Sequence, residues 1–396
     1  MSVQITDAVS WVGKVDWQIK KFHGEEYSTH HGTSFNSYLI RDEKIALVET
    51  VWTPFTSEFL DLLEKEVGLQ NIDYVIMNHG EPDHSGGFKE LMRRIPDIPV
   101  YCTANCVKSL KGQYHGDWNF KVIKAGETLS LGKRELVFIP APMLHWPDTM
   151  MCYLTGDNIL FSNDAFGEHL ATESLYNDLV DECELFQEAM KYYANILTPF
   201  SKLVTAKINE VVSLGVPVDF ICPSHGVVWR SDPMQIVNKY LEWAADYQEN
   251  QITVIYDTMW DGTRLMAESI AQGLREADDS LAVKIYNCAT GDMNDIITEV
   301  FKSKGVLVGS PTFNKGMLAS VAGILEEMRG LAFKNKKAAS FGSYGWSGES
   351  PKAIANRLDE AGFELVGEGL KIMWQPDDEA SEKCREFGRQ FVSSFK

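Results

Sequence analysis

Basic residues are in short supply. The chain of 396 residues has 37 Lys and Arg against 56 Asp and Glu, a net charge of −19. Most of the deficit lies in residues 1–250, with 20 basic against 35 acidic side chains; residues 251–396 carry 17 against 21. An acidic surface repels phosphate, which argues against nucleic acid as a partner. Paired cysteines are also lacking. The seven cysteines are odd in number, and none forms a CxxC spacing. That excludes a Cys₄ metal module of the usual kind and a disulfide framework, and it fits reduced thiols in the cytoplasm. No apolar run approaches the roughly 20 residues that cross a bilayer. The N-terminus has no basic segment followed by an apolar one, so neither a membrane span nor a secretory signal is expected.

Against those absences stands a concentration of polar groups at Asn78-His79-Gly80-Glu81-Pro82-Asp83-His84-Ser85-Gly86-Gly87. His79, Glu81, Asp83 and His84 can all bind metal. The apolar run Tyr74-Val75-Ile76-Met77 before them reads as a buried strand. Gly80, Pro82, Gly86 and Gly87 then predict an irregular loop. Later strands end the same way. His145 follows Leu136–Ile139, Asp164 follows the hairpin strand Ile159–Ser162, and His225 follows Val218–Cys222. Seven nitrogen and oxygen ligands suffice for two metal ions sharing a carboxylate. The lack of thiolate suits iron, manganese or zinc rather than copper(I). His23 and Tyr193 are further pocket candidates, together with Trp146.

The rest of the first part reads as short strands, a helix over Thr56–Val67, a second over Phe88–Arg94 and a helical region over about 179–213. From Gln251 the pattern changes to strands alternating with helices. Five strands in about 145 residues predict a doubly wound parallel α/β domain. The boundary falls near 245–251, giving domains 1–249 and 250–396. Three loops at strand ends are candidates for a ligand, because ligands of this fold bind at the carboxyl ends of strands. They are Thr258-Met259-Trp260-Asp261-Gly262-Thr263, Ser310-Pro311-Thr312-Phe313-Asn314 and Ser343-Tyr344-Gly345-Trp346-Ser347-Gly348. The first opens a helix, whose N–H groups can hold a phosphate. The others combine aromatic rings with Gly and Ser, as a flat heterocycle requires.

These motifs resemble those of the flavodiiron proteins, over nearly the whole chain. The resemblance implies a metallo-β-lactamase-like αββα sandwich followed by a flavodoxin-like doubly wound parallel sheet. It implies two non-haem irons and FMN as cofactors. One iron takes His79, Glu81 and His145. The other takes Asp83, His225 and His84, whose role varies within the family; Asp164 bridges. Zinc hydrolases of the same fold resemble HxHxDH, and Glu81 is the departure that favours iron. The loop at Thr258–Thr263 resembles the FMN phosphate loop, with Asp261 required to point away. Trp346 is expected to pack on the flavin, and Thr312 and Asn314 to meet its polar edge. The implied reaction is reduction of O₂ to water, of NO to N₂O, or of both. The implied electron donor is rubredoxin or a similar separate small protein, since the chain ends after the flavodoxin-like helix. The implied assembly is a head-to-tail homodimer or a dimer of dimers. The competing readings are a binuclear zinc hydrolase with an α/β appendage, and a flavodoxin-like carrier with a vestigial metal site.

Overall fold

The computed structural model describes residues 2–395. It divides into two compact units. One comprises the chain up to Tyr192 together with Phe200–Leu241; the other comprises Tyr193–Pro199 and the chain from Glu242 onward.

The first unit is built on two facing sheets. One has seven strands in the order Val3–Gln4, Val9–Trp11, Tyr38–Arg41, Ile45–Val48, Tyr74–Ile76, Val100–Cys102 and Phe120–Val122. The other has five: Thr128–Ser130, Glu135–Pro140, Met150–Leu154, Ile159–Asn163 and Phe220–Pro223. Side chains two apart on a strand share a face. Accordingly Tyr38 and Ile40 from the first sheet meet Leu136 and Phe138, Cys152 and Leu154, and Ile159 and Phe161 from the second in one core. On the outer face of the second sheet, Met151, Leu160 and Ile221 border a cavity of about 100 Å³ with Ile208, Val211 and Val237. Helices Ser201–Ser213 and Met234–Ala244 supply those last three residues, so helices cover that face.

The second unit is a parallel sheet in the order Ala282–Asn287, Glu249–Tyr256, Ser303–Gly309, Lys337–Tyr344 and Glu364–Leu365, with Leu370–Met373 also paired to Lys337–Tyr344. Five helices of ten or more residues connect or follow these strands. The first strand of the sheet is central and its neighbours lie on both sides, so the strand order reverses there and leaves a crevice at the carboxyl ends.

Several elements differ from the sequence expectations. The ligand segment is not wholly irregular: Pro82–Ser85 forms one helical turn, with Pro82 at a position where no N–H is needed. The helical region 179–213 is broken into Glu182–Tyr192, a π turn at Tyr193–Leu197, a short turn at Thr198–Phe200, and Ser201–Ser213. Pro199 accounts for the break, since it cannot donate to the preceding turn. Helix Ala104–Tyr114 was not anticipated; Thr103 caps it by accepting from the Cys106 N–H at 3.0 Å. Ser343 and Tyr344 lie in the strand rather than in the loop after it. The last strand is divided at Gly367 and Gly369, both at positive φ. Among the described residues no helix is long and apolar enough to cross a membrane, and all seven cysteines are free.

Candidate metal centre and cofactor loops

The carboxyl ends of strands from both sheets of the first unit deliver one cluster. His79 follows Tyr74–Ile76, His145 follows Glu135–Pro140, Asp164 follows Ile159–Asn163, and His225 follows Phe220–Pro223. Glu81 stands at the N-cap of the short turn that carries Asp83 and His84. Two triads can each hold an ion: His79, Glu81 and His145, and Asp83, His84 and His225. Asp164 faces both. Its Oδ2 is 3.7 Å from His79 Nε2 and 3.7 Å from His145 Nε2. Its Oδ1 is 3.0 Å from His84 Nε2 and 3.6 Å from His225 Nε2. Within the triads, Glu81 Oε2 lies 3.2 Å from His79 Nε2, and Asp83 Oδ2 lies 3.0 Å from His225 Nε2.

This donor set fits a metal pair. Asp83 Oδ1, His84 Nε2 and Asp164 Oδ2 are buried and make no hydrogen bond. A buried polar atom left without a partner is costly, and metal coordination would remove that cost. The outer nitrogens of the imidazoles are already engaged. His79 Nδ1 is 2.8 Å from Asp148 Oδ1, His84 Nδ1 is 2.9 Å from Glu49 Oε2, and His225 Nδ1 is 2.7 Å from the Ser34 carbonyl. Once the ring proton facing the centre is lost to a metal ion, these contacts hold the remaining N–H outward and leave each Nε2 lone pair toward the centre. Burial disfavours charge on His79, but Asp148 and Glu81 outweigh it and raise its pKa to about 10. For Asp164 burial works the other way, and the surrounding His84, His79 and His145 still hold its carboxyl far below the usual carboxylate range.

The pocket candidates divide. His23 Nε2 is 3.5 Å from Glu81 Oε1, and its ring is 6.3 Å from that of His145. Trp146 stands edge-on to His79 at 5.0 Å. Tyr193 does not join them: its ring packs on Trp243 and Phe301 in the second unit. The adjacent Tyr192 lies instead 5.3 Å from His169. His169, overlooked in the sequence, is fully buried with its ring 4.8 Å from that of His225; its Nδ1 meets Thr33 Oγ1 at 2.8 Å. Glu49 and Asp148 were also overlooked. The only signal for Asp148 was its position three residues after His145.

The three loops of the second unit all stand at strand carboxyl ends. Helix Gly262–Ala277 has no side-chain cap: Asp261 occupies the N-cap at φ +63°, and its carboxylate accepts from Arg264 Nε at 2.9 Å. The anion is therefore turned onto Arg264, and the first N–H groups of the helix stay available to a phosphate. Thr258 Oγ1 is buried without a hydrogen-bond partner, a donor that a phosphate oxygen would satisfy. Met259 and Trp260 are exposed beside it. Thr263 Oγ1 pairs with Ser343 Oγ at 2.9 Å, and the Thr312 N–H donates to the Ser343 carbonyl at 2.9 Å. Ser310 Oγ is bound to the Pro311 carbonyl and the Leu318 N–H, so it shapes its own loop. Phe313 and Gly316 exchange two backbone hydrogen bonds around Asn314 and Lys315, both at positive φ. Ser347 Oγ donates to Glu349, and Gly348 at φ +76° packs on the Tyr344 ring. Trp346 is 86% exposed, which rules out a core role for it. Gly345 lies against an indole not singled out in the sequence, that of Trp374.

Comparisons agree with this geometry. A family model described as ODP family beta lactamase matches residues 33–226, and one described as Flavodoxin matches residues 254–388. The chain is 54% identical over 394 residues to the anaerobic nitric oxide reductase flavorubredoxin of Escherichia coli O1:K1 / APEC, covering 99% of this chain and 82% of that one. The Shigella flexneri protein of the same name gives the same figures. Among solved structures, the rubredoxin oxygen:oxidoreductase of Desulfovibrio gigas superposes with a TM-score of 0.96 at 34% identity, covering 100% of this chain and 98% of that one. The flavodiiron protein of Giardia intestinalis gives 0.92 at 32%, covering 99% and 97%. With relatives at these identities matched over nearly its full length, the chain belongs to the flavodiiron protein family.

Proposed function

We propose that this protein reduces NO to N₂O, and O₂ to water, at a non-haem diiron centre fed with electrons through FMN. The observation that carries the reading is the division of Asp164, with one oxygen toward each triad. His79, Glu81 and His145 would hold one iron, and Asp83, His84 and His225 the other, with Asp164 spanning both. The loops at Thr258–Thr263, Ser310–Asn314 and Ser343–Gly348 would hold FMN. When bound, the iron pair and FMN would supply the redox chemistry, and the irons open coordination positions for a small gas.

The chain's own residues set the conditions. Glu81 replaces the histidine of zinc hydrolases with an anionic oxygen donor, which favours iron and its oxidised state. Asp148, Glu49 and the Ser34 carbonyl aim three imidazoles. Phe22 and Phe35 pack their rings 5.7 and 6.0 Å from that of His225, and Trp146 covers His79, so water is kept from one side of the centre. Both reductions consume protons. His23 stands at the rim, its side chain 30% exposed and its Nε2 3.5 Å from Glu81 Oε1.

NO is placed first because relatives at 54% identity carry that activity in their names. A zinc hydrolase is disfavoured because it gives the flavodoxin-like unit no task. The reading extends to a separate electron donor, rubredoxin or a protein like it, as the name of the Desulfovibrio gigas structure suggests. It extends to a head-to-tail homodimer or dimer of dimers, as the family resemblance implies. It also includes a cytoplasmic location, which suits seven free thiols.

Purified protein tests the core of this. Two irons and one FMN per chain, with anaerobic turnover of NO by the reduced enzyme, are expected; stoichiometric zinc without flavin would refute it. Stopped-flow mixing of the reduced enzyme with each gas ranks NO against O₂. Glu81→Ala should lose iron or gas reduction while retaining FMN, and unchanged turnover would remove Glu81 from the centre.

A further inference from the structure

Strand Leu370–Met373 ends at Trp374, a residue to which neither its sequence context nor any relative's name gives a task. Three features set it apart. Its backbone is at φ +60°, a region that bulky L residues rarely occupy and that marks a position held for a reason. The Trp374 N–H donates to the Tyr344 carbonyl at 2.8 Å, which holds it there. Its side chain is 63% exposed, so core packing does not explain it. The indole lies so close over Gly345 that a Cβ there would stand 2.8 Å from the ring, and the Trp374 carbonyl would stand 3.0 Å from a Cβ on Gly262. Next along the chain, the Gln375 amide donates to the Trp260 carbonyl. Trp374 and Gln375 thus strap together two loops that are some 80 residues apart in sequence, Thr258–Thr263 and Ser343–Gly348.

We infer that Trp374 is a flavin-binding residue, its indole forming an aromatic wall of the FMN site at the strand end where Gly345 leaves room for the ring. The inference rests on the reading of these loops as the FMN site. Trp346 follows strand Lys337–Tyr344 and Trp374 follows its paired strand Leu370–Met373, so two exposed rings stand at neighbouring strand ends. A flat heterocycle needs such unoccupied aromatic faces. Glycine is required at 345 because a side chain there would strike the Trp374 indole, and at 262 a Cβ would press on the Trp374 carbonyl. The strained backbone follows from turning the indole outward beside the loops rather than into the sheet.

The experiment is titration of flavin-free protein with FMN and with riboflavin, read by quenching of flavin fluorescence, with far-UV circular dichroism on each variant. Trp374→Ala is expected to weaken both flavins by about tenfold and to leave bound flavin brighter, whereas Trp374→Phe stays within about threefold of wild type, as loss and retention of a ring-stacking contact require. Trp374→Gly separates ring from backbone, because glycine accepts φ +60° without strain. It should match the Ala variant. If Trp374→Gly restores wild-type affinity, the residue serves only the loop's shape and the inference fails; it fails equally if the folded Ala and Gly variants both bind as wild type does. Thr258→Val is the control on the underlying reading. It should weaken FMN but not riboflavin, and wild-type protein that binds neither flavin would overturn that reading rather than the task of Trp374 alone.

Discussion

Glu49 Oε2 stands 2.9 Å from His84 Nδ1, with both side chains sealed from solvent. Glu49 belongs to no motif, yet it touches several of the segments that carry the ligand candidates. Its Oε1 accepts from the backbone N–H groups of Asn78 and His79 at 2.9 and 3.2 Å. Its Oε2 also accepts from Asn163 Nδ2 at 3.0 Å and from Ser224 Oγ at 2.8 Å. One carboxylate thus joins the strand ends that carry His79, Asp164 and His225. It also decides the tautomer of His84, leaving Nε2 facing Asp83 and Asp164.

Glu49→Gln should therefore lower iron affinity without touching FMN. The amide would turn donors toward the donors of His84, Asn163 or Ser224. Loss of a group that orients a metal ligand typically costs about 10–100-fold in metal affinity. Iron per chain by elemental analysis, beside flavin absorbance, measures this. Full iron occupancy would reduce Glu49 to a purely structural carboxylate.

Asp148 does for His79 what Glu49 does for His84, and it also accepts from the Gly80 N–H at 3.1 Å. In metal-free protein Asp148 and Glu81 overcome burial to hold His79 at about 10, so the imidazole is protonated at neutral pH. Metal must displace that proton, so apparent affinity should rise with pH up to about 10 and binding should release protons. Asp148→Asn removes the charge but keeps an acceptor. It should flatten this pH dependence and weaken the ion on the His79 side. Metal competition titrations at several pH values would show both effects, and an unchanged slope would remove Asp148 from this role.

In the second unit, Lys336 is buried, with Nζ 2.7 Å from the Phe301 carbonyl, 2.7 Å from that of Ser303 and 3.3 Å from that of Tyr247. Burial pulls its pKa down to about 7, against the usual value near 10.5. Between those limits the unfolded chain binds a proton that the folded chain lacks, so stability rises with pH there, by at most about 1.4 kcal/mol per pH unit. Lys336→Met has no such group and leaves the Phe301 and Ser303 carbonyls, each 2.7 Å from Nζ, without their donor, at a cost of about 1–3 kcal/mol. The stability gap between wild type and Lys336→Met should therefore widen from pH 7 to pH 9. Urea unfolding of the flavodoxin-like unit at the two values measures it; a constant gap would mean that the lysine stays charged when folded.

Thr258 offers the simplest cofactor test. Its Oγ1 is buried with no partner, so Thr258→Val costs the metal-free, flavin-free protein little. Loss of one hydrogen bond to a charged phosphate, about 1.5–3 kcal/mol, should weaken FMN by about tenfold or more. Equal FMN affinity in the two proteins would move the phosphate elsewhere.

What the sequence determined by itself is local in character. His79, Asp164 and His225 each stand within three residues of a strand end, and the loops of the second unit open at strand ends. Strand periodicity and turn residues are short-range properties, so His79, Asp164, His225 and the segment Thr258–Thr263 could be placed before any fold was known. The doubly wound architecture was legible for the same reason, from alternation and element order, whereas the αββα sandwich was expected only through the resemblance of the motifs to a known family. The tertiary structure decided what depends on distant segments meeting. Glu49 and Ser224 are 175 residues apart, and His79 and Asp148 are 69 apart; no local pattern marks such pairs. Tyr192 and Tyr193 are neighbours in sequence, but one helical step turns side chains by about 100°. A π turn begins between them, so one ring faces His169 and the other packs in the second unit. Trp374 reads as an ordinary exposed tryptophan until the sheet brings Gly345 beneath it. The chain's local rules placed the candidate metal donors and the candidate phosphate loop; long-range packing chose the groups that orient and enclose them.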